Sequence, residues 1–312
     1  MTNLGLQGAF GQVSLVRSGD GELRACKVME KSAVINSLQI EHAVQEKNVL
    51  LSCQGSAFVV TLFEHAQDSA HLYLIFEFVS GGELMHLLRK QRNSVFTAEQ
   101  CRYATLELAF ALEYLHNLHV VYRDIKPENV LLDGGGHLKL TDFGFAKRLN
   151  KRTWTMCGTP EYMAPEIVEN KGHGFGADWW SLGVFLFEIR SGFTPFSSSS
   201  EVETYQKIYM GDYRFPSSPK FDDVEVAFVE DLLRLDAADR LGSRRAGSVE
   251  VIRHGYFQSL DVSAMRALAV PSPFADLVHP EGDIGHLNPP KEPLAWDAST
   301  GDDAYGSKFD AF

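Results

Sequence analysis

Between Tyr122 and Glu166 the chain reads YRDIKPENVLL, a glycine-rich turn, HLKLTDFGFAKRL, and then RTWTMCGTPEYMAPE. Arg123, Asp124, Lys126 and Asn129 stand almost side by side, and a second acid, Asp142, follows after a short apolar run. Phosphate chemistry uses such a set: one carboxylate to orient an attacking hydroxyl, an amide and a carboxylate to hold Mg2+, and a cation near the moving phosphate. With 312 residues the chain is long enough for a large core, or for two lobes around a cleft that could enclose this run.

Three ordered motifs, Y-R-D-x-K-x-x-N, D-F-G and A-P-E, resemble the catalytic loop and activation segment of eukaryotic protein kinases. Tyr122 in place of the commoner His, and the string TWTMCGTPEY, resemble the AGC group and within it the cyclic-nucleotide-dependent branch. The resemblance covers nearly the whole chain. It implies an α+β, two-lobed protein kinase fold, with a small antiparallel β-sheet lobe over residues 1–76, a hinge over 77–82, a larger, mainly helical lobe over 83–257, and an AGC-type C-terminal tail over 258–312. It also implies ATP with two Mg2+ ions as cofactors. In that reading Asp124 orients the substrate hydroxyl, Lys126 stabilises the transferred phosphate, and Asn129 and Asp142 bind the metal.

Before this run the pattern is strand-like. Gln12–Val16 and Leu23–Met29 are rich in apolar and β-branched residues and flank the turn signal Ser18-Gly19-Asp20-Gly21; Phe58–Glu64 and Leu72–Phe78 read as two further strands. The glycines of LGLQGAFGQV let a backbone come close to phosphate oxygens. The resemblance makes Gly5, Gly8, Ala9, Phe10, Gly11 and Val13 a phosphate-covering loop, yet Leu6 stands where the first glycine of G-x-G-x-F-G belongs. This predicts a one-residue insertion or an altered first strand. By the same resemblance Lys27 contacts the α and β phosphates and pairs with Glu46, although by themselves a strand lysine and a helix acid read as surface residues. Ala25, Phe76, the backbone of Glu77 and Val79, Leu131 and Thr141 complete the nucleotide site, with Glu83 and Glu128 at its edge. Gly81-Gly82 breaks the pattern where strands give way to helices.

The resemblance further assigns Thr155 as an activation-segment phosphosite facing Arg123, Lys147 and His42. Glu83, Glu128, Glu161 and Glu188 match positions that bind arginines upstream of the target Ser or Thr, since carboxylate and guanidinium pair bidentately. Met156, Pro160 and Met163 would form an apolar pocket for the residue after the target, and Trp154 and Tyr205 would dock a cyclic-nucleotide-binding regulatory subunit. NKGH at 170–173 leans toward the cGMP-dependent branch, and the ending Phe309-Asp310-Ala311-Phe312 leans toward the cAMP-dependent one. Glu166 matches the partner of Arg240 in an ion pair. Asp178 either caps a helix that begins there or holds the catalytic-loop backbone.

Thr97-Ala98-Glu99-Gln100 is a capping-box signal for a long helix, and helical runs are expected over Glu201–Met210 and Glu225–Leu235. From Gln258 the composition turns proline-rich and acidic, which by itself reads as a disordered extension; the terminal F-x-x-F resembles a tail that docks on the small lobe. The net charge of −12 has the wrong sign for a general nucleic-acid binder and suits basic partners. The four scattered cysteines suggest neither disulfides nor zinc, and Cys157 in the activation segment invites a redox role against the commoner one of burial. With no apolar run long enough to span a bilayer and no signal-peptide start, the reading is cytoplasmic or nuclear, without a membrane span. A class-different rival is a degenerate kinase that binds partners without turnover.

Overall fold

The computed structural model describes residues 2–8, 11–37, 39–278 and 308–312, with side chains described from Gly11 onward. Alternating apolar residues build a five-stranded antiparallel sheet from β1 (Thr2–Gly8), β2 (Gly11–Arg17), β3 (Leu23–Glu30), β4 (Leu62–Gln67) and β5 (His71–Glu77). Its order is β1-β2-β3-β5-β4. Two helices, α1 (Lys31–Asn36) and α2 (Ile40–Ser52), follow β3. Lys27 sits mid-sheet, opposite Val13 on one side and Leu74 on the other.

The departure at Leu6 is taken up within the first strand. Thr2 and Asn3 pair with Leu15 and Ser14, but Gln7 and Gly8 pair with Gln12 and Gly11, and the register shifts between Asn3 and Gln7. Leu4, Gly5 and Leu6 therefore bulge opposite Val13. Of the expected phosphate-covering loop, Ala9 and Phe10 lie outside the described residues.

One strand expectation is corrected. The run read as Phe58–Glu64 enters the sheet only at Leu62. Phe58, Val59 and Val60 lie instead on the end of a short strand of the large lobe, Leu138–Leu140, where the Val60 amide donates to the Leu140 carbonyl and the Leu140 amide to that of Phe58. An extended apolar segment satisfies its backbone equally well on either partner, so periodicity could not tell the two apart.

The large lobe opens with α3 (Leu84–Lys90) and α4 (Ala98–Asn117). Thr97 and Gln100 form the expected reciprocal capping box of α4. Short strands β6 (Val120–Val121), β7 (Val130–Leu132), β8 (Leu138–Leu140) and β9 (Lys147–Arg148) pair β6 with β9 and β7 with β8, so the catalytic loop runs between two stiff anchors. Helix α5 (Pro165–Val168) leads to α6 (Gly176–Ser191), which is apolar nearly all round and buried, with Trp179 and Trp180 fully enclosed. Then come α7 (Glu201–Met210), α8 (Asp223–Leu232) and α9 (Ser248–Ile252). Helix α8 starts before the expected Glu225 because Asp222 caps it, accepting from the amides of Val224 and Glu225.

The hinge is stitched to the lobe beneath it. The Gly81 amide donates to the Leu132 carbonyl, and the Leu132 amide to that of Gly82. A Cβ on Gly81 would sit 2.6 Å from the Leu132 carbonyl oxygen, so no larger residue permits this approach.

The compositional reading of disorder after Gln258 fails for residues 258–278. Helix α10 (Val262–Arg266) buries Met265, and Phe274 is enclosed against Phe96 and Tyr103. At the far end Phe309 and Phe312 are buried on the small lobe. Lys47 Nζ donates to the carbonyls of Ala311 and Phe312, Gln67 donates to that of Phe309, and the His65 ring meets Phe312 edge-on. Within residues 258–278 and 308–312 a few large apolar anchors hold the chain against a surface that composition does not register.

Candidate active site

The catalytic loop leaves β6 in a strained backbone: Arg123 has φ 72°. Asp178 on α6, wholly buried, holds it there by accepting from the amides of Tyr122 at 2.9 Å and Arg123 at 2.8 Å, with His116 Nε2 at 2.8 Å as a third contact. Helix α6 begins before Asp178, after Phe175, so Asp178 is not its N-cap. Gly158 closes over the same loop, where a Cβ would meet the Arg123 carbonyl at 2.6 Å.

Four side chains converge just beyond. One Asp124 carboxylate oxygen accepts from Thr159 Oγ1 at 3.0 Å; the other accepts from Asn129 Nδ2 at 2.7 Å and meets Lys126 Nζ at 2.8 Å. Lys126 also donates to Thr159 Oγ1 at 3.0 Å. Thr159 was missed from the sequence, where a threonine before a proline carries no signal of such a contact.

Asn129 and Asp142 are brought together because the Thr141 amide donates to the Asn129 carbonyl. Phe143 is buried against Tyr122, ring centroids 5.3 Å apart, and the Tyr122 hydroxyl donates to the Thr141 carbonyl. With Phe143 enclosed, Asp142 stays in the cleft at φ 55° with a third of its side chain open. Across the cleft Lys27 Nζ lies 2.6 Å from Glu46 and 3.8 Å from Asp142. Burial works against the Lys27 ammonium, but these carboxylates outweigh it and hold its pKa above the ordinary lysine value.

The donor set fits a hard cation. Asn129 spends its amide nitrogen on Asp124, which turns its oxygen the other way, and Asp142 offers a partly open carboxylate. Such oxygens suit Mg2+. Around the nucleotide position Ala25 stands opposite Phe76, Val79 is buried, and Leu131 and Thr141 are half-buried below. The Glu77 carboxylate is engaged by the Thr61 amide and Lys139, and its amide donates to the Thr61 carbonyl.

The expected phosphosite residues are differently engaged. Thr155 is exposed; Arg123 Nε donates to the Phe145 carbonyl, Lys147 to Thr153 Oγ1, and the His42 ring meets Gln39. Arg123 Nη1 is buried without a hydrogen-bond partner among the described residues, and burial lowers the guanidinium pKa. Beneath the segment, His173 exchanges backbone hydrogen bonds with Thr153, and burial together with Arg123 drives its imidazole down to about 4. Burial raises the pKa of the Cys157 thiol, which leaves it mostly uncharged and gives no support to a reactive thiolate.

At the other rim lie the acids. Glu188 accepts from the buried Tyr162 hydroxyl, Glu161 accepts from Thr194 at 2.6 Å, and Glu128 is exposed. Burial and the neighbouring Glu128 push Glu83 upward. Met163 is buried, Pro160 half-buried and Met156 exposed. Glu166 and Arg240 form a buried bidentate pair at 2.8 and 2.9 Å. Trp154 is exposed and lies on Gly172, while Tyr205 packs half-buried on α7.

The sequence pattern of the protein kinase domain matches residues 1–257. This chain belongs to the protein kinase family. It is 40% identical over 281 residues to a cAMP-dependent protein kinase catalytic subunit of Dictyostelium discoideum, which covers 90% of this chain and 43% of that protein. It is 41% identical to catalytic subunit 3 of Drosophila melanogaster over 90% of this chain and 48% of the relative. For the catalytic subunit PRKX of Homo sapiens the figures are 41%, 90% and 77%. The chain thus spans less than half the length of the first two relatives. Its two-lobed α+β fold is the kinase fold, and among the described residues no helix is long and apolar enough to cross a membrane.

Proposed function

We propose that this chain transfers the γ-phosphoryl group of ATP to Ser or Thr hydroxyls in proteins that carry arginines upstream of the target. The observation that carries the reading is Asp124, buried and held at once by Asn129, Lys126 and Thr159, in the same cleft as the Lys27–Glu46 pair and Asp142. Asp124 would accept or orient the hydroxyl proton, Lys126 would face the transferred phosphoryl oxygens, and Lys27 would hold the α and β phosphates. Asn129 and Asp142 would hold Mg2+, which when bound neutralises phosphate charge.

Glu83, Glu128, Glu161 and Glu188 would read the arginines, with Met156, Pro160 and Met163 receiving the next residue. Phosphorylation of Thr155 would supply −1.5 to −2 charge, by the usual magnitude of about two, to the orphaned Arg123 nitrogen, with Lys147 and His42 as neighbours. A regulatory subunit would dock through Trp154 and Tyr205, under cyclic-nucleotide control and in the cytoplasm or nucleus. The relatives' names, catalytic subunits of cAMP-dependent protein kinase, support the cyclic-nucleotide control.

The test is radiolabel transfer from ATP to an arginine-containing peptide. Asp124→Ala should lower the rate by about 10²- to 10⁴-fold, and Thr155→Ala should lower it strongly. Wild-type activity equal to that of Asp124→Ala would favour a kinase fold that binds without turnover. A peptide array without preference for upstream arginine would remove the substrate assignment.

A further inference from the structure

Glu188 occupies an unusual position within the acid group just described. It projects from the buried helix α6, is only half-exposed, and its Oε2 accepts from the Tyr162 hydroxyl. The groups that face it are Tyr162 and Glu161 from the turn at 160–162, Glu128 from the catalytic loop, and Arg89 from α3. Arg89 forms no ion pair with it among the described residues. Glu161, moreover, is already engaged by Thr194. A carboxylate set back from water, beside two other acids, with a neutral phenol as its one hydrogen-bond donor and no paired cation among the described residues, loses hydration without gaining a counter-ion. Both effects disfavour its charged form.

We propose that arginine recognition by this site is a proton exchange: Glu188 meets the incoming guanidinium as a carboxylic acid in a large share of molecules, and releases that proton to solvent as the ion pair forms. The inference rests on the substrate reading proposed above. One O–H bond breaks, the proton leaves to buffer, and a carboxylate–guanidinium pair replaces the acid. Burial, with Glu128 and Glu161 adding to it and the Tyr162 hydrogen bond and the more distant Arg89 opposing it, pushes the Glu188 carboxyl up to about 7. The exchange would therefore fall in the physiological range, where small changes of pH would alter the affinity for basic substrates. An arginine-free peptide would be untouched.

Isothermal titration calorimetry of the full chain tests this with a histidine-free peptide that carries upstream arginines and alanine at the phosphoacceptor position. Measurements at pH 6, 7 and 8 in buffers of different ionisation enthalpy give both affinity and proton count. Expected is a Kd about tenfold weaker at pH 6 than at pH 8, with about half a proton released near pH 7. Glu188→Gln should bind more weakly at pH 8, with a flat pH dependence and no release. A wild-type Kd that does not change between pH 6 and 8, absence of proton release, or a dependence that survives in Glu188→Gln would each overturn the proposal. Arginine preference with flat affinity would sink the proton exchange alone. Equal binding of a peptide with alanine for arginine would sink the substrate reading and this inference with it.

Discussion

Replacing Asp178 tests how the catalytic loop is held. The carboxylate serves two buried amides, Tyr122 and Arg123, at 2.9 and 2.8 Å, and the second belongs to a residue at φ 72°. Hydrogen bonds to a charged acceptor contribute about 1.5–3 kcal/mol each, so Asp178→Ala should cost about 3–6 kcal/mol, a large part of the ~5–15 kcal/mol that stabilises a typical domain. Release of the strained Arg123 backbone, worth about 1–3 kcal/mol, would offset part of this by letting the loop leave its conformation, and activity would fall with it. Asp178→Asn separates the two roles considered for this residue. A helix cap is worth ~1 kcal/mol and asparagine caps as well as aspartate, whereas a residue that accepts from two amides cannot be replaced by one that turns an NH2 toward a donor. Denaturant midpoints and kcat are the assays. If Asp178→Asn matches wild type within ~0.5 kcal/mol and keeps its kcat, the backbone-holding role is refuted.

Three further outcomes follow from the geometry. Glu46→Gln should leave the fold intact but free Lys27 to drift toward Asp142, and since misplacement on the order of 1 Å can cost about 10²-fold, kcat/KM for ATP should fall steeply while the denaturation midpoint moves little. Arg240→Ala strands Glu166 in the interior and should destabilise by about 3–5 kcal/mol, whereas the double change Arg240→Met with Glu166→Leu should cost far less; equal losses in a denaturant titration would contradict this. His173 has its folded pKa lowered to about 4, so below about pH 6.5 the unfolded chain binds a proton that the folded chain refuses. Its contribution is present above pH 6.5 and is lost as pH falls toward 4, amounting to about 2 kcal/mol by pH 5. His173→Phe should flatten that part of the stability profile, and an unchanged slope would show that other groups cause it.

Much of the site was legible because its chemistry is local. Asp124, Lys126 and Asn129 lie on one loop, and their mutual contacts need only that loop to close. The glycine-rich turn was legible as a feature, but its irregularity resolved only in pairing, where β1 bulges opposite Val13. Phe58–Val60 read as strand, yet only Val59 makes a ladder contact, a single bridge to Leu140 on β8 of the other lobe. Residues 258–278 read as disordered on composition, which averages over a segment whose packing depends on single residues such as Met265 and Phe274.

The sequence alone determined the family, the candidate reacting groups and their order, and the strands and caps that depend on neighbours a few residues away. Tertiary structure alone decided that Thr159 meets Asp124 and Tyr162 meets Glu188, and it chose between the two roles open to Asp178, whose carboxylate takes the amides of Tyr122 and Arg123. The physical reason is that local propensity acts through a few covalent bonds, whereas desolvation and charge pairing act between whichever groups packing places together.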